Sequence, residues 1–296
     1  MSSPSPLRLL ETWSLEPGPT FALLCCAGAY LGAVGRTRRH AGSGWPPRRT
    51  GAFIAGLAAL AVALESGLDG YAETLLSIHM VQHLVLVLVA APLLLAGAPV
   101  ALALRAGSPG SRRKLARLLR GRTAATLAHP AAGLLAIGGS MLATHLTPLY
   151  GWALEHPLVH AGEHLLFLGS GLLFWAVLIA PGPPVRRLDG LGRVVYLMAG
   201  MPLMSVVGVI LETDPAPRYG RYLIPADRFG ISALSDQRLA GALMWIAGTL
   251  LMGAIALGAA WRAMAAEERR AQAREAYSDR TGASAVGIDL AKGGPA

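Results

Sequence analysis

The chain has 296 residues, of which 53% are hydrophobic and only 15% are charged, and its mean hydropathy is positive. These values exclude a soluble domain built on a single core and indicate a polytopic membrane protein. The formal net charge of +9 is typical of basic cytoplasmic loops that lie against an anionic leaflet, so nucleic acid is not an expected partner.

Apolar stretches long enough to cross a bilayer, about 20 residues each, occur seven times. They cover residues 20–35, 51–66, 74–97, 124–146, 157–180, 194–211 and 239–261. No hydrophilic stretch between them is long enough to fold by itself. The sequence therefore predicts an all-α polytopic membrane protein with an external N-terminal segment at 1–19, a seven-helix transmembrane domain at 20–262 and a partly disordered cytoplasmic tail at 263–296.

Basic residues are distributed unevenly between the two sets of alternating loops. The segments 36–50, 105–122, 186–193 and 262–296 contain 5, 7, 3 and 6 of the 26 lysines and arginines. The positive-inside rule makes this set cytoplasmic. We therefore expect the N-terminus outside, the C-terminus cytoplasmic, and insertion directed by the first helix without a removed signal peptide.

Two connectors and one cysteine pair carry weaker signals. Residues 105–122 form either a basic helix on the inner leaflet or a solvated loop. The external loop 212–238 either covers a site, docks a partner or simply connects two spans. Cys25 and Cys26 are adjacent in the first span, which favours small-residue packing over a thiol that hands on a soft metal.

Histidines recur at four-residue steps in two apolar segments, and these are His79, His83, His156, His160 and His164. Because four residues are a little more than one helical turn, each set lies on one face of its helix. Placing imidazole side chains inside a membrane costs free energy, so these histidines are expected to have a function, such as binding a metal, binding a haem or forming a proton path. Together with His145 these histidines are expected on the external side, whereas His40 and His129 are expected to lie outside any site.

Helical rise separates these side chains along the membrane normal, by roughly 6 Å in the third span and 12 Å in the fifth. One tetrahedral ion therefore cannot bind all three histidines of the fifth span. We expect a shallow layer of His79, His145, His156 and His160 and a deeper layer of His83 and His164. Asp236 is expected to join the shallow layer or to orient an imidazole. Glu163 needs a partner at its depth, and an external arginine is favoured.

Imidazole ligands with few carboxylates favour copper, zinc or iron over magnesium or calcium. Hydrogen-bonded packing between helices is the alternative role for these histidines. Six methionines in or near the spans offer thioether sulfur to Cu(I), although each is individually more typical of packing. They are Met80, Met141, Met201, Met204, Met244 and Met252, of which Met141 lies one turn from His145.

Three segments carry a resemblance to a known family. They are HMVQHLVLVLVAAPLLLAGAPV from His79, HPLVHAGEHLLFLGSGLLFW from His156 and DQRLAGALMW from Asp236. They resemble the three signature regions of the CtaG family of bacterial cytochrome c oxidase assembly factors, first tied to the caa3-type oxidase. The similarity extends over about residues 20–262. One departure is Ala91, where members often have another proline before Pro92.

The resemblance implies a plasma-membrane protein required to assemble haem-copper oxidase, usually by delivering or inserting copper. The residues that correspond to the family's histidines and acid are His79, His83, His156, His160, His164 and Asp236. It also implies oxidase subunits or copper chaperones as partners.

We therefore expect a non-enzymatic assembly factor that holds copper in the outer half of the bilayer. No nucleophile arrangement, phosphate loop or paired-carboxylate site is visible in the sequence. The alternative is a haem-binding redox or haem-modifying protein in which His83 and His164 are axial ligands. A metal or proton transporter is less expected, because the sequence beyond these two histidines is almost wholly apolar.

Overall fold

The computed structural model of the protein describes residues 12–40, 44–179, 188, 190–224 and 229–292. The chain is 86% helical, and no strand occurs among these residues. The first half contains α1 (Pro17–His40), α2 (Pro47–Glu65), α3 (Gly67–Ala72), α4 (Leu76–Leu84), a π-helix (Val85–Ala90), α5 (Ala91–Ala96), α6 (Pro99–Ala106), α7 (Pro109–Leu119) and α8 (Arg122–Leu127). The second half contains α9 (Pro130–Leu146), α10 (Leu149–Glu155), α11 (Pro157–Ile179), α12 (Gly190–Thr213), a 3-10 turn (Gly220–Tyr222) and α13 (Ala233–Lys292). The all-α prediction is confirmed.

Six helical segments are long and apolar enough to cross a membrane, namely Pro17–Arg39, Pro47–Glu65, Leu76–Ala106, Pro157–Ile179, Gly190–Thr213 and Ala233–Arg274. Helices α9 and α10 are bent by 71° at their junction and pass the same test only as a pair. The described residues thus contain six candidate spans, or up to seven if the bent pair crosses as one unit. The orientation of the termini and the division into three segments stay predictions.

Proline marks the start of many helices. The first residue of α1, α2, α6, α7, α9 and α11 is in each case a proline. The first position of a helix has no intrahelical acceptor for its N–H, and proline has no N–H to satisfy and a φ already suited to the helix. These starts are therefore encoded locally.

The third span is not a continuous α-helix. Helix α4 passes into the π-helix, and α5 follows with Pro92 in its first turn. Proline cannot donate a hydrogen bond to the preceding turn, and a wider turn accommodates this loss. The carbonyl oxygen of Val87 in this turn accepts a 2.8 Å hydrogen bond from Trp175 Nε1 on α11. The indole therefore ties the interrupted span to its neighbour.

Helices α12 and α13 approach closely through small residues. A β-carbon at Gly208 would stand 2.7 Å from the carbonyl oxygen of Gly241, so glycine is what lets the two backbones meet. Helix α13 begins ahead of the predicted start at residue 239. The reason is that Asp236 and Gln237 are buried and have hydrogen-bond partners inside the fold, so their polarity does not mark the end of a span.

The connectors and the cysteines also have defined places. Helix α7, within the basic segment 105–122, has no buried residue, which suits either a solvated or a leaflet-bound helix. Cys25 and Cys26 are exposed on α1, so neither thiol is buried inside the bundle, and the choice between small-residue packing and transfer of a soft metal stays a prediction. In the loop 212–238, residues 225–228 lie outside the described residues, whereas Tyr219 and Tyr222 belong to the site.

Candidate metal centre

His79 and His83 form the middle of the candidate site. Both lie on α4 and are buried, with exposed fractions of 0% and 3%. Their four-residue spacing places them on one face, and their Nε2 atoms are 3.0 Å apart. Two nitrogen ligands have about this separation when each lies about 2 Å from one ion and they subtend roughly 90°. The pair therefore fits adjacent positions on a metal.

The carboxylate of Glu163, on α11, faces this pair. Its Oε2 lies 3.8 Å from His79 Nε2, and its Oε1 lies 3.8 Å from His83 Nε2. The side chain is 1% exposed, and neither oxygen has a hydrogen-bond partner within the described structure. Burying a carboxylate without hydrogen bonds is costly unless a proton or a cation neutralises it. One ligand atom from each of His79, His83 and Glu163 lies within 4.8 Å of the others, which is suitable for one ion.

Three further histidines surround this group. The ring of His160 stacks at 5.3 Å from that of His79, and the ring of His164 lies 6.0 Å from that of His83. The ring of His145, on α9, lies 6.1 Å from that of His83. Five imidazoles from three helices thus form one cluster, and two of them face the Glu163 carboxylate.

These histidines keep unpartnered nitrogen atoms in the interior. His145 Nδ1 donates to the carbonyl oxygen of Met141 at 3.1 Å, which leaves a lone pair on its buried Nε2. A second-shell carbonyl that fixes the tautomer in this way is typical of metal-binding histidine. His145 Nε2, His160 Nε2 and His164 Nε2 have no hydrogen-bond partner among the described residues. The arrangement is therefore rich in free lone pairs, contrary to what hydrogen-bonded packing would produce.

The histidines do not separate into the two expected layers. Helical rise sets the backbones of His79 and His83 about 6 Å apart, but the two rings lean toward each other until their Nε2 atoms are 3.0 Å apart. His83 also lies beside His145, which was expected in the other layer. Side-chain reach therefore removes a separation that backbone positions alone predict.

Two of the predicted site residues lie at the edge of the group. His156 is exposed, between α10 and α11, and its Nδ1 donates to the carbonyl oxygen of Trp152 at 3.1 Å. Asp236 is buried and accepts hydrogen bonds from the backbone N–H of Leu76 at 2.6 Å, from the N–H of Ser77 at 3.3 Å and from the Ser77 hydroxyl. Its carboxylate caps the N-terminus of α4, where the helix dipole favours a negative charge. Asp236 thus fixes the helix that presents the two central histidines.

Aromatic residues close the site on the side of the loop 212–238. The Tyr222 hydroxyl donates to the carbonyl oxygen of Ala72 at 3.1 Å and lies 2.8 Å from the Tyr150 hydroxyl. Tyr219 donates to the carbonyl oxygen of His145 at 3.0 Å, and the Tyr150 ring packs edge-on against His79 at 5.1 Å. Burial raises the pKa of the Tyr219 and Tyr222 hydroxyls, so both stay protonated donors. The loop is therefore a cover for the site.

Sequence reasoning missed the role of Glu163. In the described chain its carboxylate faces two imidazoles instead of the expected arginine, and Arg218 pairs with Asp214 at 2.8 Å. The available signal was its position next to His164, which places it on an adjoining part of the same helix. Because it is an acidic residue inside a histidine-rich span, Glu163 is a further candidate ligand.

Comparisons with known proteins place the chain in a family. The family model of the cytochrome c oxidase caa3 assembly factor matches residues 28–266. An uncharacterized protein of Mycobacterium leprae is 30% identical over 98% of this chain, and an uncharacterized protein of Mycobacterium bovis is 31% identical over 92% of it. The alignments cover 46% and 42% of those relatives, so the chain spans less than half the length of either. No solved structure matches the chain significantly.

The family match covers most of the chain and includes α4, α11 and the start of α13, which are the helices that present the central histidines, Glu163 and Asp236. The chain belongs to the CtaG family of cytochrome c oxidase caa3 assembly factors.

Proposed function

We propose that this protein is a non-enzymatic assembly factor of the bacterial plasma membrane that binds copper in the outer half of the bilayer and assists its delivery to cytochrome c oxidase. The centre of the proposed site is His79, His83 and Glu163. His145, His160 and His164 complete the ligand set. Copper is the cargo of this protein, and oxidase subunits or copper chaperones are its partners.

The observation that carries the proposal is the unpartnered carboxylate of Glu163 between two imidazoles. Each of its oxygens lies 3.8 Å from a histidine Nε2 and has no other partner in the described structure. A buried negative charge that faces nitrogen lone pairs favours a cation at that point. Mixed imidazole and carboxylate ligation suits a transition metal, and the family to which the chain belongs favours copper.

The distribution of histidines around the centre suits transfer of an ion. His156 is exposed, His160 is half-buried and His79 is fully buried. The ring of His160 lies 5.3 Å from that of His79, and His156 precedes His160 by about one helical turn. An ion can therefore exchange one ligand at a time between the surface and the centre. A closed structural site would bury all of its ligands.

Haem is the competing cofactor. The rings of His83 and His164 lie 6.0 Å apart and are nearly perpendicular, at 79°, which is a separation that two axial imidazoles can adopt. However, His79 Nε2 lies only 3.0 Å from His83 Nε2, which leaves no room for a macrocycle bound to that nitrogen, since a bound organic ligand needs a pocket of several hundred Å³. The packing around His83 Nε2 therefore favours an ion over a macrocycle.

The first experiment is metal analysis with an optical spectrum on protein purified from its native membrane. Copper without a Soret band supports the proposal, and a Soret band with bis-imidazole features refutes it in favour of haem. The second is complementation of a strain that lacks the protein with the His79→Ala/His83→Ala double variant. We expect it to lose bound copper and to lower cytochrome c oxidase activity.

The control for this variant is His129→Asn. His129 is exposed, and its Nδ1 accepts only from the N–H of Ala131 at the start of α9, a role that asparagine can also fill. It should keep both copper and oxidase activity. Normal oxidase activity in the His79→Ala/His83→Ala strain would refute the proposed role.

A further inference from the structure

A small cavity borders His83 in the interior of the bundle. Four of its six lining residues are methionines, and the full set is Met80, His83, Leu84, Met141, Met204 and Met244. The cavity measures about 10 Å³, which is about the space that one water-sized particle needs. The structure therefore provides room for a single ion and surrounds it mainly with thioether side chains.

The four methionines come from separate parts of the chain. Met80 lies on α4, Met141 on α9, Met204 on α12 and Met244 on α13. Their exposed fractions are 0%, 3%, 2% and 3%. The chain contains only nine methionines, so four at one cavity is a concentration that random filling of core gaps does not predict. Leucine would fill an apolar core with better-defined rotamers.

We propose that this cavity is a separate binding site for a soft monovalent cation, namely Cu(I). Thioether sulfur is a soft ligand that selects Cu(I) over divalent ions. None of the described lining residues carries a formal negative charge, so nothing there offsets the second charge of a divalent ion. Where all the ligands are neutral, burying a monovalent cation costs less free energy than burying a divalent one.

His83 belongs to both sites. Its Nε2 faces His79 and Glu163, and the same ring lines the methionine cavity. Its Nδ1 is buried and has no hydrogen-bond partner within the described structure. This inference rests on the proposed function and extends it by adding a Cu(I) site next to the histidine and glutamate centre, with His83 as the shared ligand. Its test is the presence of sulfur ligands, which the histidine and glutamate centre does not have.

The test uses the full-length purified protein loaded anaerobically with Cu(I), and in parallel with Ag(I) as a redox-inert substitute. X-ray absorption at the metal edge should show sulfur neighbours in the wild-type protein. The Met141→Leu/Met204→Leu double variant conserves side-chain volume and is expected to fold. It should lose sulfur neighbours and bind Cu(I) at least about tenfold more weakly. In a separate sample loaded with Cu(II), the electron paramagnetic resonance signal of copper bound by imidazole should be unchanged.

The matched control is Met252→Leu. Met252 is fully buried but does not line this cavity, so its replacement should leave Cu(I) affinity and the sulfur neighbours intact. A wild-type spectrum with nitrogen and oxygen neighbours only would overturn the inference, as would an unchanged Cu(I) affinity in the double variant. A third outcome separates the two proposals. If the wild-type protein shows sulfur neighbours but the His79→Ala/His83→Ala strain has normal oxidase activity, the proposed function is refuted and the thioether site is established.

Discussion

Glu163→Gln separates binding of a cation from stability of the fold. Glutamine keeps the size of the side chain and one oxygen ligand but removes the negative charge. In the wild-type protein each carboxylate oxygen lies 3.8 Å from an imidazole nitrogen. Two unit charges about 4 Å apart interact by about 4 kcal/mol at an effective dielectric constant of about 20. That energy corresponds to roughly a thousandfold in affinity.

Because the amide oxygen remains a ligand, we expect the affinity of the histidine and glutamate centre for Cu(II) to fall by at least about 100- to 1,000-fold in Glu163→Gln. The metal-free variant should be at least as stable as the wild type, since the substitution removes a buried carboxylate that has no hydrogen-bond partner in the described structure. Competition with a chelator of known affinity measures the first effect. Thermal unfolding of the metal-free protein in detergent micelles measures the second.

Glu73→Gln is the matched control. Glu73 directly follows α3 and is exposed. It lies near enough to act electrostatically on His160 but is not one of the proposed ligands, so this substitution changes the net charge equally and controls for electrostatic effects without loss of a ligand. It should alter the affinity less than about threefold. The reasoning is refuted if Glu163→Gln binds copper as tightly as Glu73→Gln, or if its metal-free form unfolds at a clearly lower temperature than the wild type.

Three further substitutions probe the support of the site. Asp236→Ala should lower the free energy of unfolding by about 1–3 kcal/mol and weaken copper binding, because the start of α4 loses its cap. Tyr222→Phe should cost about 1 kcal/mol, because it removes the hydroxyl that donates to Ala72. Gly208→Val should destabilise the protein by more than about 3 kcal/mol, because its β-carbon would press on the Gly241 backbone.

Unfolding curves of the metal-free variants check these values, with copper titrations alongside. Asp236→Asn serves as a partial rescue, because the amide oxygen still accepts a hydrogen bond. Equal stability of Asp236→Ala and the wild type would show that the cap is unimportant. Tolerance of Gly208→Val would show that α12 and α13 are not held at the distance described.

The membrane-spanning helices were predictable because each span is a run of about 20 apolar residues. Length and apolarity locate the spans, and the four-residue step of His79 and His83 fixes their common face. The pairing of these two with Glu163 was not predictable, because it depends on how α11 is rotated against α4. The methionine cavity escaped prediction for the same reason, since its lining residues come from four helices whose relative depth the sequence does not encode.

Asp236 shows a different limit. Its place at the start of the last span was correctly inferred, but its carboxylate was assigned to a ligand layer or to an imidazole. In the structure it holds backbone and hydroxyl donors of Leu76 and Ser77. The sequence shows that the Asp236 carboxylate lies at about the same depth as the histidines. It does not show whether an imidazole or the donors of Leu76 and Ser77 will lie closer to that carboxylate.

The π-helix at Val85–Ala90 divides the third span into two functional halves. Each wide turn uses one residue more than an α-helical turn, which offsets the two halves by roughly 100° about their axis. The face of α4 that carries the histidines therefore points in a different direction from the face that α5 would present if the helix were regular. A single-residue deletion in this segment would restore an ordinary helix and turn the imidazoles away from Glu163 without changing any ligand. The segment therefore sets the rotation of the face that carries the histidines, and its length should matter for copper binding as the ligands themselves do.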